Sequence, residues 1–177
     1  MKGQWTNVYS GDLPLRSWWV DSGNDCKYIS IVLPEVFGIN NWIRSFSEKL
    51  AAQNVPVLAL PLYGRTAPKL DLAYSEEDLK LGRYHKNLTT SKNIIKDISA
   101  ALNWVKEKYP QKKISIIGFC FGGHAALIAS SLQGIESSFC FYGAGVTTPR
   151  SDTNFAPIDL LEKVSGKLNF ICGSEDE

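Results

Sequence analysis

The sequence predicts an α/β fold: a mostly parallel sheet with helices on both faces and an antiparallel edge at its N-terminal side. Two observations carry this. From about residue 26 onward, short apolar runs alternate with segments of helical periodicity. One of those runs also leads through a glycine-rich turn into a stretch that is apolar nearly all round, as expected of a helix buried at the centre of a fold.

Taken in order, residues 5–10 and 15–21 read as two strands joined at Gly11-Asp12, an antiparallel hairpin at the edge of the sheet. Residues 28–33, 55–60, 114–117, 138–142 and 168–172 are short and apolar, as buried parallel strands are. Ile43, Phe46 and Leu50 mark one helix face. Ile94, Ile98, Leu102 and Val105 mark a longer one, with Ser91 as its expected cap and Pro110 beyond its end. Residues 122–132 form the buried helix. Residues 61–75 and 143–157 hold Pro, Gly, Thr and Asp without periodicity and read as loops long enough to shape a site.

The chain has 177 residues, 44% of them hydrophobic, and a formal net charge of +1. A chain of this length can bury roughly 70% of its unfolded surface, so it needs no disulfide staple. The near-neutral balance argues against a disordered tail and against the basic footprint of a nucleic-acid-coating protein. Cys26, Cys120, Cys140 and Cys172 form no CxxC pair, so neither a metal site nor a redox motif is expected; Cys140 and Cys172 sit in apolar runs and read as small buried hydrophobes. No stretch reaches the ~18 consecutive apolar residues of a membrane span, and the N-terminus has no signal-like apolar region. The expectation is a cytoplasmic protein acting on a small molecule, with no cofactor, no nucleic acid and no membrane partner, as a monomer or weak dimer.

The most informative motif is Gly118-Phe119-Cys120-Phe121-Gly122-Gly123, preceded by a strand and followed by a helix. This is the context of a nucleophile elbow, with Cys in place of Ser. The turn strains its central residue and demands small residues two positions to either side, which Gly118 and Gly122 supply. Cys120 would then stand at a helix N-terminus, whose dipole is expected to favour the thiolate, and the Phe121 N–H would face the site as an oxyanion donor. A phosphate-binding loop is excluded because Gly122-Gly123-His124 follows the turn where Gly-Lys-Ser/Thr is needed. A dinucleotide site is excluded because the next strand ends Cys140-Phe141-Tyr142-Gly143 without an acid.

Here the sequence resembles the dienelactone hydrolase family of α/β-hydrolases, from about residue 11 to the last residue. The likeness rests on the elbow, on Leu33-Pro34-Glu35-Val36-Phe37-Gly38-Ile39-Asn40 and on Pro61-Leu62-Tyr63-Gly64-Arg65-Thr66-Ala67-Pro68. The resemblance implies Cys120 as nucleophile, Glu35 as an active-site glutamate that takes part in activating it, and Asp176 as the triad acid. It further implies Val36 and Phe121 as oxyanion donors, Phe37 and Tyr142 as substrate-pocket aromatics, and a substrate-binding arginine near Arg83, although an ungapped comparison puts Leu79 there. Pro61 departs from the family, which has an acid before Leu-Tyr.

The expected activity is hydrolysis of a small lactone or carboxylic ester through an acyl-enzyme. In this class the triad runs nucleophile, acid, histidine, but both histidines, His85 and His124, precede Asp176. His124 lies one helical turn beyond Cys120 and is expected to point away from it. Residues 1–177 are therefore expected to be one α/β-hydrolase domain cut short at its C-terminal side. The alternative is a catalytically incomplete member that binds a ligand or partner through the same cleft.

Overall fold

The structure, a computed structural model, describes residues 1–23 and 25–176. Seven strands form one sheet: β1 (Gln4–Ser10), β2 (Leu13–Val20), β3 (Tyr28–Leu33), β4 (Val57–Ala59), β5 (Lys113–Phe119), β6 (Ser137–Phe141) and β7 (Lys167–Ile171). Their order is β1-β2-β4-β3-β5-β6-β7. The hairpin β1–β2 and the β2–β4 pair are antiparallel, and every pair from β4 to β7 is parallel. The architecture is a mostly parallel α/β sheet with an antiparallel N-terminal edge, as the alternating pattern predicts.

Strand residues alternate between two cores. Ile29, Ile31, Leu33, Leu58, Leu60, Ile114 and Ile116 join Ile94, Ile98, Leu102 and Val105 of α3 (Ser91–Lys108) and the apolar residues of α4 (Phe121–Ala129). Val32, Val57, Ala59 and Phe119 join Ile43 and Ala51 of α1 (Asn41–Ala51). This period of two is the direct result of pleating, and burial on both sides explains why these strands read as continuous apolar runs. Across the centre, Ser30 and Ser115 are register partners whose buried hydroxyls share a 2.7 Å hydrogen bond.

Two sequence expectations change and one helix is added. Helix α3 is capped by Thr90, whose side chain accepts from the Asn93 N–H at 3.2 Å; Ser91 is its first residue and donates its N–H to Asp152 Oδ2 at 2.7 Å. Helix α2 (Glu76–Leu88) occupies a charged segment that gave no periodic signal, capped by Ser75 with three acids in its first turn. Cys172 is exposed, because β7 is the last strand in the order and is largely uncovered; Cys140, in β6, is buried as expected. Among the described residues no helix is long and apolar enough to cross a membrane.

Candidate active site

Strand β5 ends at Phe119, helix α4 begins at Phe121, and Cys120 between them has φ 52° and ψ −112°. A non-glycine residue there is strained, and the surroundings hold it in place. Its N–H donates to the Phe141 carbonyl at 3.0 Å, and its own carbonyl accepts from the His124 and Ala144 amides at 3.1 Å each. The flanking glycines are obligatory. A Cβ on Gly118 would stand 1.9 Å from the Gly122 carbonyl oxygen, and one on Gly122 would stand 2.1 Å from that of Leu33. The helix start is thus pressed against the ends of β5 and β3, which lifts Cys120 above the sheet.

The half-buried thiol does not have the depressed pKa that a helix N-terminus suggests. Burial pushes it up, and the Glu35 carboxylate adds to that; the Phe121 N–H, Lys86 and Arg83 pull the other way without prevailing. Desolvation of the thiolate outweighs the pull of the Phe121 N–H at the helix start.

Glu35 and Val36 follow β3 after Pro34, and β3 is the neighbour of β5, so two strand ends bring them to the elbow. Tyr74 donates to Glu35 Oε2 at 3.1 Å, and Tyr142 donates to Oε1 at 3.3 Å. Tyr142 has φ 38°, a left-handed backbone that directs its ring from the end of β6, and burial raises the pKa of both phenols. Phe37 packs edge-on against Tyr74 at 4.6 Å. Glu35, Phe37, Tyr74 and Tyr142 are therefore one cluster, electrostatically coupled to Cys120 through Glu35.

Of the remaining predicted residues, Val36 is buried and its carbonyl abuts Gly82 of α2. Arg83 is exposed on α2, near enough to favour the Cys120 thiolate, whereas Leu79 packs against the core. Asp176 is exposed in the turn after β7, where its N–H donates to the Gly173 carbonyl at 3.3 Å. Neither histidine is brought to it or to the thiol. His85 bonds Thr66 Oγ1 at 3.1 Å, and His124 is buried with Nδ1 3.0 Å from the Ala144 carbonyl.

Sequence reasoning missed Tyr74, Tyr63 and Lys86. Tyr63 stacks on Phe121 at 6.0 Å, and its hydroxyl is buried without a partner among the described residues. Tyr63 lay in one of the segments that carry the family likeness but was given no role, and the signal for Tyr74 was a large aromatic in a loop.

With the elbow, its two glycines and the carboxylate from the adjacent strand in place, comparison with known proteins decides the family: the model of the dienelactone hydrolase family matches residues 22–177. The chain belongs to the dienelactone hydrolase family. A Synechocystis sp. protein named for carboxymethylenebutenolidase is 32% identical over 150 residues, covering 84% of this chain and 61% of that protein. The carboxymethylenebutenolidase of Pseudomonas putida is 23% identical over 120 residues, covering 67% of this chain and 51% of that enzyme. The chain thus spans between about half and three fifths of these two relatives. Among solved structures, a Klebsiella pneumoniae protein described as a dienelactone hydrolase superposes with a TM-score of 0.73 at 17% identity, covering 98% of this chain and 85% of that one. An α/β serine hydrolase without a lid from Xanthomonas campestris gives 0.60 at 13% identity, covering 97% and 84%. At such identities these structures establish the shared fold.

Proposed function

We propose that this dienelactone hydrolase family chain carries the nucleophile and oxyanion site of an enzyme that hydrolyses small lactones or carboxylic esters through an acyl-enzyme. The observation that supports it most is Cys120 at φ 52° on the elbow, with the Phe121 N–H acting on its thiol. In the proposed reaction the Cys120 sulfur forms a bond to the ester carbonyl carbon, and the carbonyl electrons move onto oxygen. The Val36 and Phe121 amides donate to that oxyanion. Collapse expels the alcohol oxygen, which takes up a proton, and leaves a thioester that water then cleaves.

Glu35, held by Tyr74 and Tyr142, is proposed to take up the thiol proton when substrate reaches the site. Phe37 and Tyr142 are proposed to line the acyl pocket, with Arg83 facing a polar substituent. Asp176 is proposed as the acid that orients a histidine. Neither His85 nor His124 fits that histidine's role, since each is engaged elsewhere. That observation favours a second reading, a catalytically incomplete member that binds a ligand or partner through the same cleft and forms no acyl-enzyme.

One experiment separates these readings. The chain is mixed with p-nitrophenyl acetate, while p-nitrophenol release and intact mass are followed together. The expected result is a stoichiometric burst with an acyl adduct on Cys120, absent from Cys120→Ala. Turnover that survives in Cys120→Ala overturns the nucleophile assignment; binding of ester with no adduct and no release supports the second reading.

A further inference from the structure

Helix α2 carries the two cations that act on Cys120, yet Gly82 is its only fully buried residue, so apolar packing does little to fix it. At its C-terminal end only Thr89 and Thr90 separate it from α3. The last carbonyls of a helix have no partner within it. Here the Thr89 hydroxyl donates to the His85 carbonyl at 2.9 Å, and the Thr89 N–H to that of Lys86 at 3.2 Å.

Arg150, from the loop after β6, completes this end. Its Nη2 donates to the Lys86 carbonyl at 2.9 Å and to the Thr89 carbonyl, and its side chain is only 12% exposed. Its Nε faces Oδ1 of Asp152 at 3.5 Å, while Oδ2 of Asp152 accepts the Ser91 N–H at the start of α3 at 2.7 Å. The cation thus stands at the negative end of one helix and the anion at the positive end of the next, as the two macrodipoles favour. The guanidinium also lies over the Phe121 ring, its Cζ 5.1 Å from the ring centroid. One side chain therefore touches both the helix that carries Arg83 and Lys86 and the residue that follows Cys120.

We propose that Arg150 is a positioning residue of the Cys120 site, holding the C-terminal end of α2 against Phe121 so that Lys86 and Arg83 stay within reach of the sulfur. The role requires a fork: lysine would keep the charge but could not span two carbonyls and a carboxylate in fixed geometry. The proposal deepens the ester hydrolase reading and rests on its choice of Cys120 as the reactive group. It is tested by alkylation without any ester present, so a failure of acylation and a failure of the clasp are separate results.

The groups coupled to the thiol are Glu35 beyond β3, Lys86 and Arg83 of α2, Tyr63, and Tyr142 at the end of β6. A substitution at position 150 leaves all of them in the sequence and changes only how α2 is held. The pH dependence of iodoacetamide alkylation of Cys120 is measured for the unmodified chain, Arg150→Met and Arg150→Lys, and again in an Arg83→Met/Lys86→Met background, with circular dichroism confirming the folded state. Arg150→Met should raise the midpoint by roughly half a pH unit, about threefold slower alkylation below it. Arg150→Lys should raise it by less, and neither should move it where both α2 cations are gone. An unmoved midpoint in folded Arg150→Met overturns the proposal, because a merely stabilising contact has that result. So does full restoration by Arg150→Lys, or a shift that persists in the background, since either makes the charge itself the agent. If Arg150→Met does not fold, Arg150→Lys carries the same comparison: a shift lost in the background supports the clasp, and no shift overturns it.

Discussion

Tyr142 donates its phenolic hydrogen to Oε1 of Glu35 at 3.3 Å, joining the end of β6 to the end of β3. With Tyr74 on the other oxygen, the two phenols draw charge away from a carboxylate whose field opposes ionisation of Cys120. Glu35→Gln should therefore move the midpoint of the iodoacetamide alkylation rate against pH to lower pH. Tyr74→Phe and Tyr142→Phe should move it to higher pH. In a Glu35→Gln background the tyrosine variants should lose their effect, since the charge they act through is gone. A shift that survives in the double variants would show that the phenols act by another route.

Arg83 and Lys86 favour the thiolate, so neutralising either has the opposite sign to removing Glu35. Arg83→Met and Lys86→Met should each raise the alkylation midpoint, by less than one pH unit because both side chains reach solvent. Added salt should shrink the difference from the unmodified chain. An unchanged midpoint in both variants would remove these cations from the account of Cys120.

His124 gives stability a pH dependence with a definite window. Its pKa is about 4 in the folded chain and near 6.5 in the unfolded one. Above the unfolded value both states are neutral and nothing is lost. As pH falls toward 4 the unfolded state binds a proton that the folded state refuses, so stability declines, by about 3 kcal/mol in all. Urea denaturation from pH 8 to pH 4 should show this fall, and His124→Asn should lose that part of the slope.

Gly118 should tolerate no side chain. The Gly118→Ala methyl would meet backbone at 1.9 Å, and neither β5 nor α4 has room to retreat. A loss of about 3 kcal/mol is expected, at the upper end of overpacking, together with altered Cys120 alkylation. Denaturant unfolding measures the first, and a change under about 1 kcal/mol would mean the elbow relaxes easily.

Arg65 and Asp97 form an ion pair at 2.5 Å, with the Asp97 side chain only 6% exposed. Arg65→Met leaves that carboxylate buried without its cation and should cost about 3 kcal/mol. Arg65→Met/Asp97→Asn should recover much of the loss, because the uncompensated charge is then absent. Unfolding free energies of the three variants test this.

The sheet was legible because its central strands are buried on both faces. Continuous apolar runs at residues 28–33 and 114–117 leave few other readings, and the glycines around Cys120 announce the elbow before any geometry is known. Helix α2 was hidden because Gly82 is its only fully buried residue. It is held by a close approach, with the Gly82 backbone against the Val36 carbonyl, where a Cβ would come within 2.4 Å. Such a contact produces no apolar periodicity. Tyr74 was hidden for a related reason, since its value lies in a hydrogen bond to a residue 39 positions away. The direction of the Cys120 pKa was misread because burial depends on the assembled fold, whereas a helix N-terminus can be read from local sequence.

The hydrogen-bonded serines at the middle of the sheet have a further consequence. Ser30 stands five residues before Glu35 on β3, and Ser115 stands five residues before Cys120 on β5. The two hydroxyls therefore act as matching marks on two rulers. A two-residue slide of one strand would keep its apolar faces in place but carry the carboxylate roughly 7 Å from its station beside the sulfur. It would also strand two buried hydroxyls, which penalises the misaligned pairing. A pair of small polar side chains, remote from the elbow, thereby sets the spacing at which Glu35 and Val36 meet Cys120.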